Sequence, residues 1–321
     1  MTLFLDETTV LGLIDMDDAI AEVEDAFHAS GTGEASTVPR MRAPLGNGTL
    51  RITAAVLPAR GFYGVKVSSS AVFDSDAGRM FYLYEHETGR LAAAVQVFGL
   101  GTLRTGAVSG VATKYLANPD ATSLGVIGTG RQAHTQVSAV SRVRDIDEIR
   151  VFGRDPERRS RFCAALVEDG HPASPVDTAE AAVRGADIVV TATTATEPVL
   201  QGAWLAPGAH VNAIGANYEH RRELDTPAVA RASVVVTDNP EQARFEASDL
   251  TRPAAEGALD WEQVVGLDEI VSKTAPGRES QHQITLFESL GVALGDVALV
   301  ARAYERAVAT GAGEQLPDLT G

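Results

Sequence analysis

The segment SLGVIGTGRQA, residues 123–133, decides the fold. Its first half is apolar and predicts a short strand, and a helical pattern begins after Gly130. The turn between them matches G-x-G-x-x-A, in which Gly128 permits a tight turn, Gly130 lets the backbone approach a pyrophosphate, and Ala133 allows close helix packing. The N-terminus of such a helix offers N–H groups to phosphates. The segment therefore predicts a dinucleotide site contacted by Gly128, Thr129, Gly130, Arg131 and Gln132.

Strands and helices alternate after residue 123, which is typical of βαβ units and a parallel sheet. Further apolar strands are expected at EIRVFG, ADIVVTAT, HVNAIG and SVVVTD, and the last helix is expected at about Gly291–Thr310. Before this region, Leu50–Val97 contains short strands separated by Gly, Pro and Asp turns, which favours an antiparallel sheet. The predicted fold class is α/β: a Rossmann-type doubly wound parallel sheet domain plus an α+β N-terminal domain.

Two helices are predicted in the first 117 residues. Residues 14–30 carry apolar residues at helical spacing, and Asp15 is a plausible N-cap. A second helical segment covers Leu103–Leu116 and ends before Asn118-Pro119, where we place a domain boundary.

The end of the second strand bears on the choice of cofactor. An NAD site usually has an acidic residue there to hold the ribose hydroxyls, but this chain has Gly153 followed by Arg154. The missing carboxylate and the added guanidinium favour a 2′-phosphate, so NADP(H) is preferred and NAD(H) remains possible. Asp155 is either a displaced acid or, because Pro156 follows it, mainly a helix cap. Arg158 and Arg159 either assist or only solvate the helix.

Composition excludes several classes of protein. The 321 residues carry a formal charge of −16, which argues against binding to nucleic acid or anionic lipid. The single cysteine, Cys163, allows no disulfide within the chain, and we interpret it as a small core residue. The histidines lack metal-ligand spacing, so no metal site is expected. No signal peptide or membrane span is recognised, and we expect a soluble cytoplasmic protein.

Several motifs in a fixed order give the whole chain a resemblance to a known family. It resembles the ornithine cyclodeaminase/μ-crystallin family in Arg40-Met41-Arg42, Gly64-Val65-Lys66-Val67, Leu103–Ala107, Ala112–Leu116, GVIGTGRQA at 125–133, VNAIGAN at 211–217, Arg222–Asp225, Ile284–Phe287 and Ser289-Leu290-Gly291.

The resemblance implies a particular organisation. Residues 1–117 with 300–321 would form a substrate-binding and dimerisation domain, and residues 118–299 a Rossmann NAD(P)-binding domain. The active site would lie in the cleft between them, and two chains would form a homodimer through the N-terminal sheets. Thr191 and Thr193 would border the adenosine or ribose, and Ala213 and Ile214 would lie near the nicotinamide. Ser289 would belong to the last loop over the nicotinamide ring, and Asn217 would contact the cofactor.

The resemblance also implies three substrate-side cations, Arg42, Lys66 and Arg104, with Arg104 counted among the cofactor contacts as well. An arginine fork suits a planar carboxylate, and a lysine with a lowered pKa can donate a proton. Alternatives remain open at each position. Arg40 and Arg51 compete with Arg42, Arg104 would otherwise form a salt bridge at a helix start, and Lys66 would otherwise face solvent.

The resemblance implies an NAD(P)H-dependent oxidoreductase that acts on a small 2-oxo or cyclic 2-imino carboxylate, as in ketimine reductase or alanine dehydrogenase. Lys66 would be the catalytic residue. One departure matters: cyclodeaminases have a proton-transferring Asp where this chain has Asn217, and a carboxamide cannot cycle a proton. An ornithine cyclodeaminase-type deaminase and a non-enzymatic NADPH-dependent binding protein are the alternatives.

Overall fold

The computed structural model describes residues 2–46, 48–69 and 79–317. Two compact units are present: residues through Arg104 together with those from Val292 onward, and Thr105–Gly291. The compact units divide at 104/105 and 291/292, whereas the predicted borders are 117/118 and 299/300. The assignment of substrate binding and dimerisation to one part of the chain stays a prediction.

The first unit is a mixed sheet packed against helices. Its described strands are β1 (Thr2–Leu5), β2 (Ser36–Thr37), β3 (Met41–Leu45), β4 (Gly48–Leu57), β5 (Phe62–Ser69), β6 (Met80–Glu85), β7 (Leu91–Gln96) and β16 (Glu314–Leu316), and its helices are α1 (Glu7–Leu13), α2 (Met16–Gly31) and α11 (Ala293–Thr310). Strands β4 to β7 pair in an antiparallel meander, as predicted, whereas β1 pairs parallel with β7.

Helix α3 spans Phe98–Leu116 and begins earlier than its predicted start at Leu103. The Glu7 carboxylate accepts hydrogen bonds from the backbone N–H groups of Phe98 and Gly99. This cap comes from a distant part of the chain, so a local reading of the sequence does not reveal it. Helix α2 begins where expected, and Asp15 caps it by accepting from the N–H of Asp18 at 2.8 Å.

The second unit is a parallel sheet with helices between its strands, as predicted. Its strands are β8 (Ser123–Ile127), β9 (Glu148–Phe152), β10 (Ala173–Pro175), β11 (Ile188–Thr191), β12 (His210–Ala213), β13 (Ala232–Thr237), β14 (Val264–Gly266) and β15 (Ile284–Glu288). Its helices are α4 (Arg131–Val143), α5 (Pro156–Glu168), α6 (Ala179–Val183), α7 (Thr226–Ala230), α8 (Pro240–Glu246), α9 (Ser248–Ala255) and α10 (Leu267–Val271).

The order of this second sheet is β10-β9-β8-β11-β12-β15-β13-β14, and the described pairs are parallel. The chain proceeds outward from β8 to β10 and then crosses back to β11 on the other side. Open α/β sheets bind ligands at such a switch point, outside the carboxyl ends of the strands. The predicted Rossmann-type fold class is therefore confirmed.

The cores follow from this layering. Strands of the second sheet bury nearly continuous apolar residues, as expected when helices cover both faces of a sheet. Cys163, on α5, is buried in the core, as predicted. Among the described residues, the helices are too short or too polar to span a bilayer.

Candidate active site

A buried ion-pair cluster in the first unit joins Lys66, Arg104 and Asp296. Lys66 projects from β5 and contacts Oδ2 of Asp296 on α11. The Nε of Arg104, on α3, donates to Oδ1 of the same carboxylate at 3.3 Å. The side chain of Asp296 is fully buried, while those of Lys66 and Arg104 are 17% and 6% exposed. One carboxylate therefore holds two of the predicted substrate-side cations.

This cluster sets the charge of Lys66. Burial lowers the pKa of Lys66, the Asp296 charge opposes that effect, and the charges of Arg104 and Arg40 lower it further, to about 8. Burial raises the pKa of Asp296, but Arg104 and Lys66 outweigh it and hold that pKa below its ordinary value. The lysine is thus a cation at neutral pH that can release a proton readily.

Two buried polar groups, one in this cluster and one beside it, make no hydrogen bond within the described part of the chain. One is Nη1 of Arg104, and the other is the hydroxyl of Thr53. Thr53 lies directly opposite Lys66 in the β4–β5 register. Buried unsatisfied donors are rare in native proteins and call for a ligand or water. The cluster is therefore suited to an anion that accepts from Arg104.

Arg42 lies on the same face of the sheet, further toward its edge. It pairs in register with Arg51, which pairs with Ser68, two residues along β5 from Lys66. Because side chains alternate along a strand, Arg42, Arg51 and Lys66 share one face. The structure leaves Arg42 and its competitor Arg51 side by side, so both remain candidates for carboxylate binding.

The glycine-rich loop in the second unit has the geometry that phosphate binding requires. Gly128 has φ +130°, and a Cβ there would meet the carbonyl oxygen of Ala192 at 2.4 Å. Gly130 begins α4, and no side chain of the described residues caps that end. Nothing described lies within 4 Å of a Cβ built on Gly130, so a phosphate has room to approach the helix N-terminus. These residues fit the pyrophosphate of a dinucleotide.

The end of β9 lies against this loop. A Cβ on Gly153 would stand 2.7 Å from the methyl group of Thr129, so an acidic side chain would crowd the loop. Arg154 is exposed. Asp155 caps α5 by accepting from the N–H of Arg158 at 3.0 Å, which confirms its role as a cap.

Arg158 and Arg159 have contacts of their own. Arg158 donates to the backbone oxygen of Thr129 at 3.3 Å. Arg159 is buried and donates to the backbone oxygen of Gly153 and to Asp177. Both bind backbone oxygens next to the loop, whereas Arg154 is exposed at the strand end itself.

Glu223 joins the loops that follow β11 and β12. Its fully buried carboxylate accepts from the Thr191 hydroxyl at 2.9 Å and from the N–H groups of Thr193 and Gly215, both at 2.6 Å. The predicted cofactor residue Thr191 is thus buried and engaged, whereas Thr193 is partly exposed. Ala213 and Ile214, which are also predicted cofactor contacts, stand at the end of β12 and are buried.

Two further buried acids, Asp249 and Glu288, lie near Glu223. Asp249, on α9, accepts from the N–H groups of Glu223 and Leu224 at 3.0 Å. Burial raises the pKa of Asp249 to about 7, and the neighbouring Glu223 adds to the rise. Glu288 ends β15, is fully buried, and has no hydrogen-bond partner for either oxygen among the described residues. Burial and the nearby acids hold its pKa well above the ordinary value.

The loop after β15 is fixed in a similar way. The N–H of Ser289 donates to the backbone oxygen of Ala213 at 2.8 Å. Asp238, the residue that follows β13 in sequence, accepts from the N–H groups of Leu290 and Gly291 at 3.1 and 2.7 Å. Ser289 therefore lies next to the end of β12, and partly buried Asn217 follows in the loop after β12. Their contacts with a cofactor stay a prediction.

Sequence reasoning missed Asp296, Thr53, Glu223 and Asp238. Asp296 lies 230 residues from Lys66, in an alanine-rich helix where it reads as a first-turn acid. Glu223 belongs to the quoted motif Arg222–Asp225, but the motif gives it no role. Arg222, in the same motif, donates to the backbone oxygen of Leu224 at 3.0 Å and to the hydroxyl of Thr226 at 2.8 Å.

With the fold and both groups of residues described, comparison with known proteins decides the family. The model of the ornithine cyclodeaminase/mu-crystallin family matches residues 1–311. The chain belongs to this family. The resemblance seen in its motifs is therefore confirmed.

Relatives extend over the whole chain. An alanine dehydrogenase from Archaeoglobus fulgidus is 34% identical over 98% of both chains. A Δ1-pyrroline-2-carboxylate reductase from Bacillus cereus is 34% identical over 95% of this chain and 96% of its own. Both are named as oxidoreductases, which confirms the predicted enzyme class.

Solved structures agree. The Δ1-pyrroline-2-carboxylate reductase of Thermococcus litoralis, in complex with NADH and L-proline, matches with a TM-score of 0.92 at 33% identity, covering 98% of this chain and 100% of its own. An archaeal alanine dehydrogenase dimer with bound NAD matches with a TM-score of 0.92 at 33% identity, covering 99% of each chain. The predicted nicotinamide cofactor is confirmed, and the preference for NADP(H) stays a prediction.

Proposed function

We propose that this protein reduces the C=N bond of a small 2-imino carboxylate, or reductively aminates the matching 2-oxo acid, with NADPH. The observation that carries the proposal is the buried Nη1 of Arg104, which lacks a hydrogen-bond partner and shares a carboxylate with Lys66. An anion-binding donor and a proton donor are thus held together. A 2-imino carboxylate needs both.

The residues divide the chemistry between them. Arg104, from α3, and Arg42, on the sheet face that carries Lys66, bind the substrate carboxylate through charge-assisted hydrogen bonds. The Lys66 ammonium donates a proton to the imine nitrogen as C2 accepts hydride, so C=N becomes a C–H and an N–H bond. Water then returns the proton to Lys66. Gly128, Gly130 and the start of α4 would hold the pyrophosphate of a nicotinamide cofactor, which would supply the hydride.

The test is NADPH oxidation by the full-length protein. Δ1-pyrroline-2-carboxylate, Δ1-piperideine-2-carboxylate, and pyruvate with ammonia or methylamine are the substrates to compare. We expect turnover on at least one imino acid, with the amino acid as product. Release of ammonia from ornithine without net cofactor reduction would replace this proposal by cyclodeamination. Tight NADPH binding without turnover on any substrate would identify a binding protein.

We infer that NADPH is preferred over NADH. Support comes from Gly153, which leaves no space for an acidic side chain beside Thr129, and from exposed Arg154 next to it. A guanidinium binds a 2′-phosphate well, whereas the carboxylate usually found in an NAD site would repel that phosphate.

Arg154→Ala should raise the KM for NADPH about 10- to 100-fold, because a hydrogen bond to a charged group contributes about 1.5–3 kcal/mol. The KM for NADH should stay unchanged. Initial rates with each cofactor measure both values, and Arg161→Ala is the matched control, since Arg161 is an exposed arginine on α5, the helix that follows Arg154. An unchanged KM for NADPH in Arg154→Ala would remove Arg154 from the phosphate site.

We also infer that two chains form a homodimer through the first sheet. The face opposite Lys66 is apolar and only partly buried, with Ile52, Val65, Val67, Met80 and Tyr82 meeting in register. Exposed Met41, at 65%, extends it along β3. Contiguous apolar patches of this kind mark interfaces between proteins.

Light scattering of the native protein should therefore give the mass of two chains. Val65→Glu places a charge at the centre of this face and should give a monomer that retains its helix content, because an unpaired charge is costly to bury. Val167→Glu, at an exposed valine of the second unit, should leave the mass unchanged. A dimeric Val65→Glu protein would move the interface elsewhere.

A further inference from the structure

Asp296 belongs to the ion-pair cluster with Lys66 and Arg104, but the proposed reaction gives it no role of its own. It lies in the first turns of α11, is fully buried, and commits each carboxylate oxygen to a different cation. Lys66 takes Oδ2, and the Nε edge of Arg104 takes Oδ1. This division leaves Nη1 of Arg104 without a partner.

The packing beside Asp296 favours the same arrangement. A Cβ on the preceding residue, Gly295, would stand 3.0 Å from the Cγ and Cδ atoms of Arg104 and 3.2 Å from Val23. The glycine thus leaves space for the stem of Arg104, while the next residue binds its head group. Two successive residues of α11 fix the position and the rotation of the guanidinium.

Charge is the second role of this carboxylate. The charged groups that act on Lys66 are Asp296 from α11, Arg104 from α3 and Arg40 from the segment before β3. Asp296 is the anion among them. Without its charge, burial and two arginines would act on the lysine unopposed, and the lysine would lose its proton at a lower pH.

We propose that Asp296 is a positioning residue that keeps Lys66 in its proton-donating form at neutral pH and turns the free edge of Arg104 toward the substrate carboxylate. The proposal rests on the proposed imine reduction and deepens it. It makes one buried acid of α11 responsible for both the proton supply and the orientation of the anion-binding group.

Asp296→Asn is the test, because it keeps the shape of the side chain and removes its charge. The basic limb of the kcat–pH profile should move to lower pH by about one unit or more, since an opposite charge at this range shifts a pKa by about 1–3 units. The KM for the imino acid should rise, and the Kd for NADPH should stay unchanged. A merely structural role would lower kcat equally at every pH and leave the limb in place, which would overturn the proposal.

Two further variants make the result specific. Asp296→Glu keeps the charge and moves it by one methylene, so its limb should return toward the native position even where kcat remains low. Glu22→Gln is the matched control: Glu22 is a largely buried acid of the same unit that pairs with Arg60 and Arg302. Its limb should not move, and a shift equal to that of Asp296→Asn would contradict the specific role.

The titration of Lys66 can also be followed without turnover. The rate at which acetic anhydride acetylates Lys66, measured against pH by peptide mass spectrometry, should show a lower apparent pKa in Asp296→Asn than in the native protein. This readout separates the two proposals. If the native protein reduces no imino acid, the proposed function fails, but the lysine shift still decides the role of Asp296; equal apparent pKa values would reject it.

Discussion

Replacing Lys66 by methionine should lower kcat/KM for a cyclic 2-imino acid about 10³-fold, because a positioned general acid contributes about 10²–10⁴ to the rate. Methionine keeps the length and the apolar stem but has no proton to donate. The Kd for NADPH should remain native, since the proposed phosphate contacts at Gly128 and Gly130 belong to a different compact unit. Asp296 would keep Arg104 as its partner, so the buried carboxylate is not left uncompensated.

Initial-rate assays at saturating NADPH measure kcat/KM for the imino acid, and fluorescence titration measures the Kd for NADPH. Lys114→Met is the matched control, because Lys114 is exposed on α3 and has no proposed role in the reaction. Lys66→Arg sharpens the result: a guanidinium keeps the positive charge but does not release a proton at neutral pH, so its kcat should remain low. Near-native turnover of Lys66→Met would exclude Lys66 from the mechanism.

Sequence patterns predict the second unit well, because its signals are local. The strand–turn–helix at residues 123–133 contains its own glycines, and the cap at Asp155 lies three residues from the N–H that it binds. In the first unit the decisive contacts are distant along the chain. Glu7 caps α3 from about ninety residues away, and β1 pairs with β7 across most of the unit.

The same distinction separates the predicted site residues from the missed ones. Lys66 and Arg104 stand in recognisable motifs, so the resemblance identifies them. Asp296 binds both from 230 and 192 residues away, and its local pattern is only that of an acid in the first turn of a helix. No periodicity or spacing links a helix near the end of the chain to a strand near its beginning. Only the folded chain shows why both cations need one buried anion.

Glu223 illustrates a third situation, in which a motif is visible but its purpose is not. Glu223→Ala should lower the free energy of unfolding by about 3–5 kcal/mol, because the carboxylate accepts three hydrogen bonds and each buried donor left without an acceptor costs about 1–3 kcal/mol. Urea unfolding followed by circular dichroism measures this loss. Glu256→Ala is the control, since its exposed carboxylate accepts one bond from Thr226 and should change stability by less than about 1 kcal/mol.

The same substitution should also raise the Kd for NADPH, and this second effect is what distinguishes a role at the site from a role in the core. Thr193 and Gly215 belong to the two loops at which we expect the ribose and nicotinamide, and Glu223 is the acceptor that joins them. Glu223→Gln retains one acceptor oxygen and should lie between Ala and native in both measurements. If Glu223→Ala weakens folding while the Kd for NADPH stays native below the unfolding transition, these loops do not carry the cofactor contacts. If the Kd for NADPH rises in Glu223→Gln and rises further in Glu223→Ala, a single buried carboxylate couples the end of β11 to the end of β12.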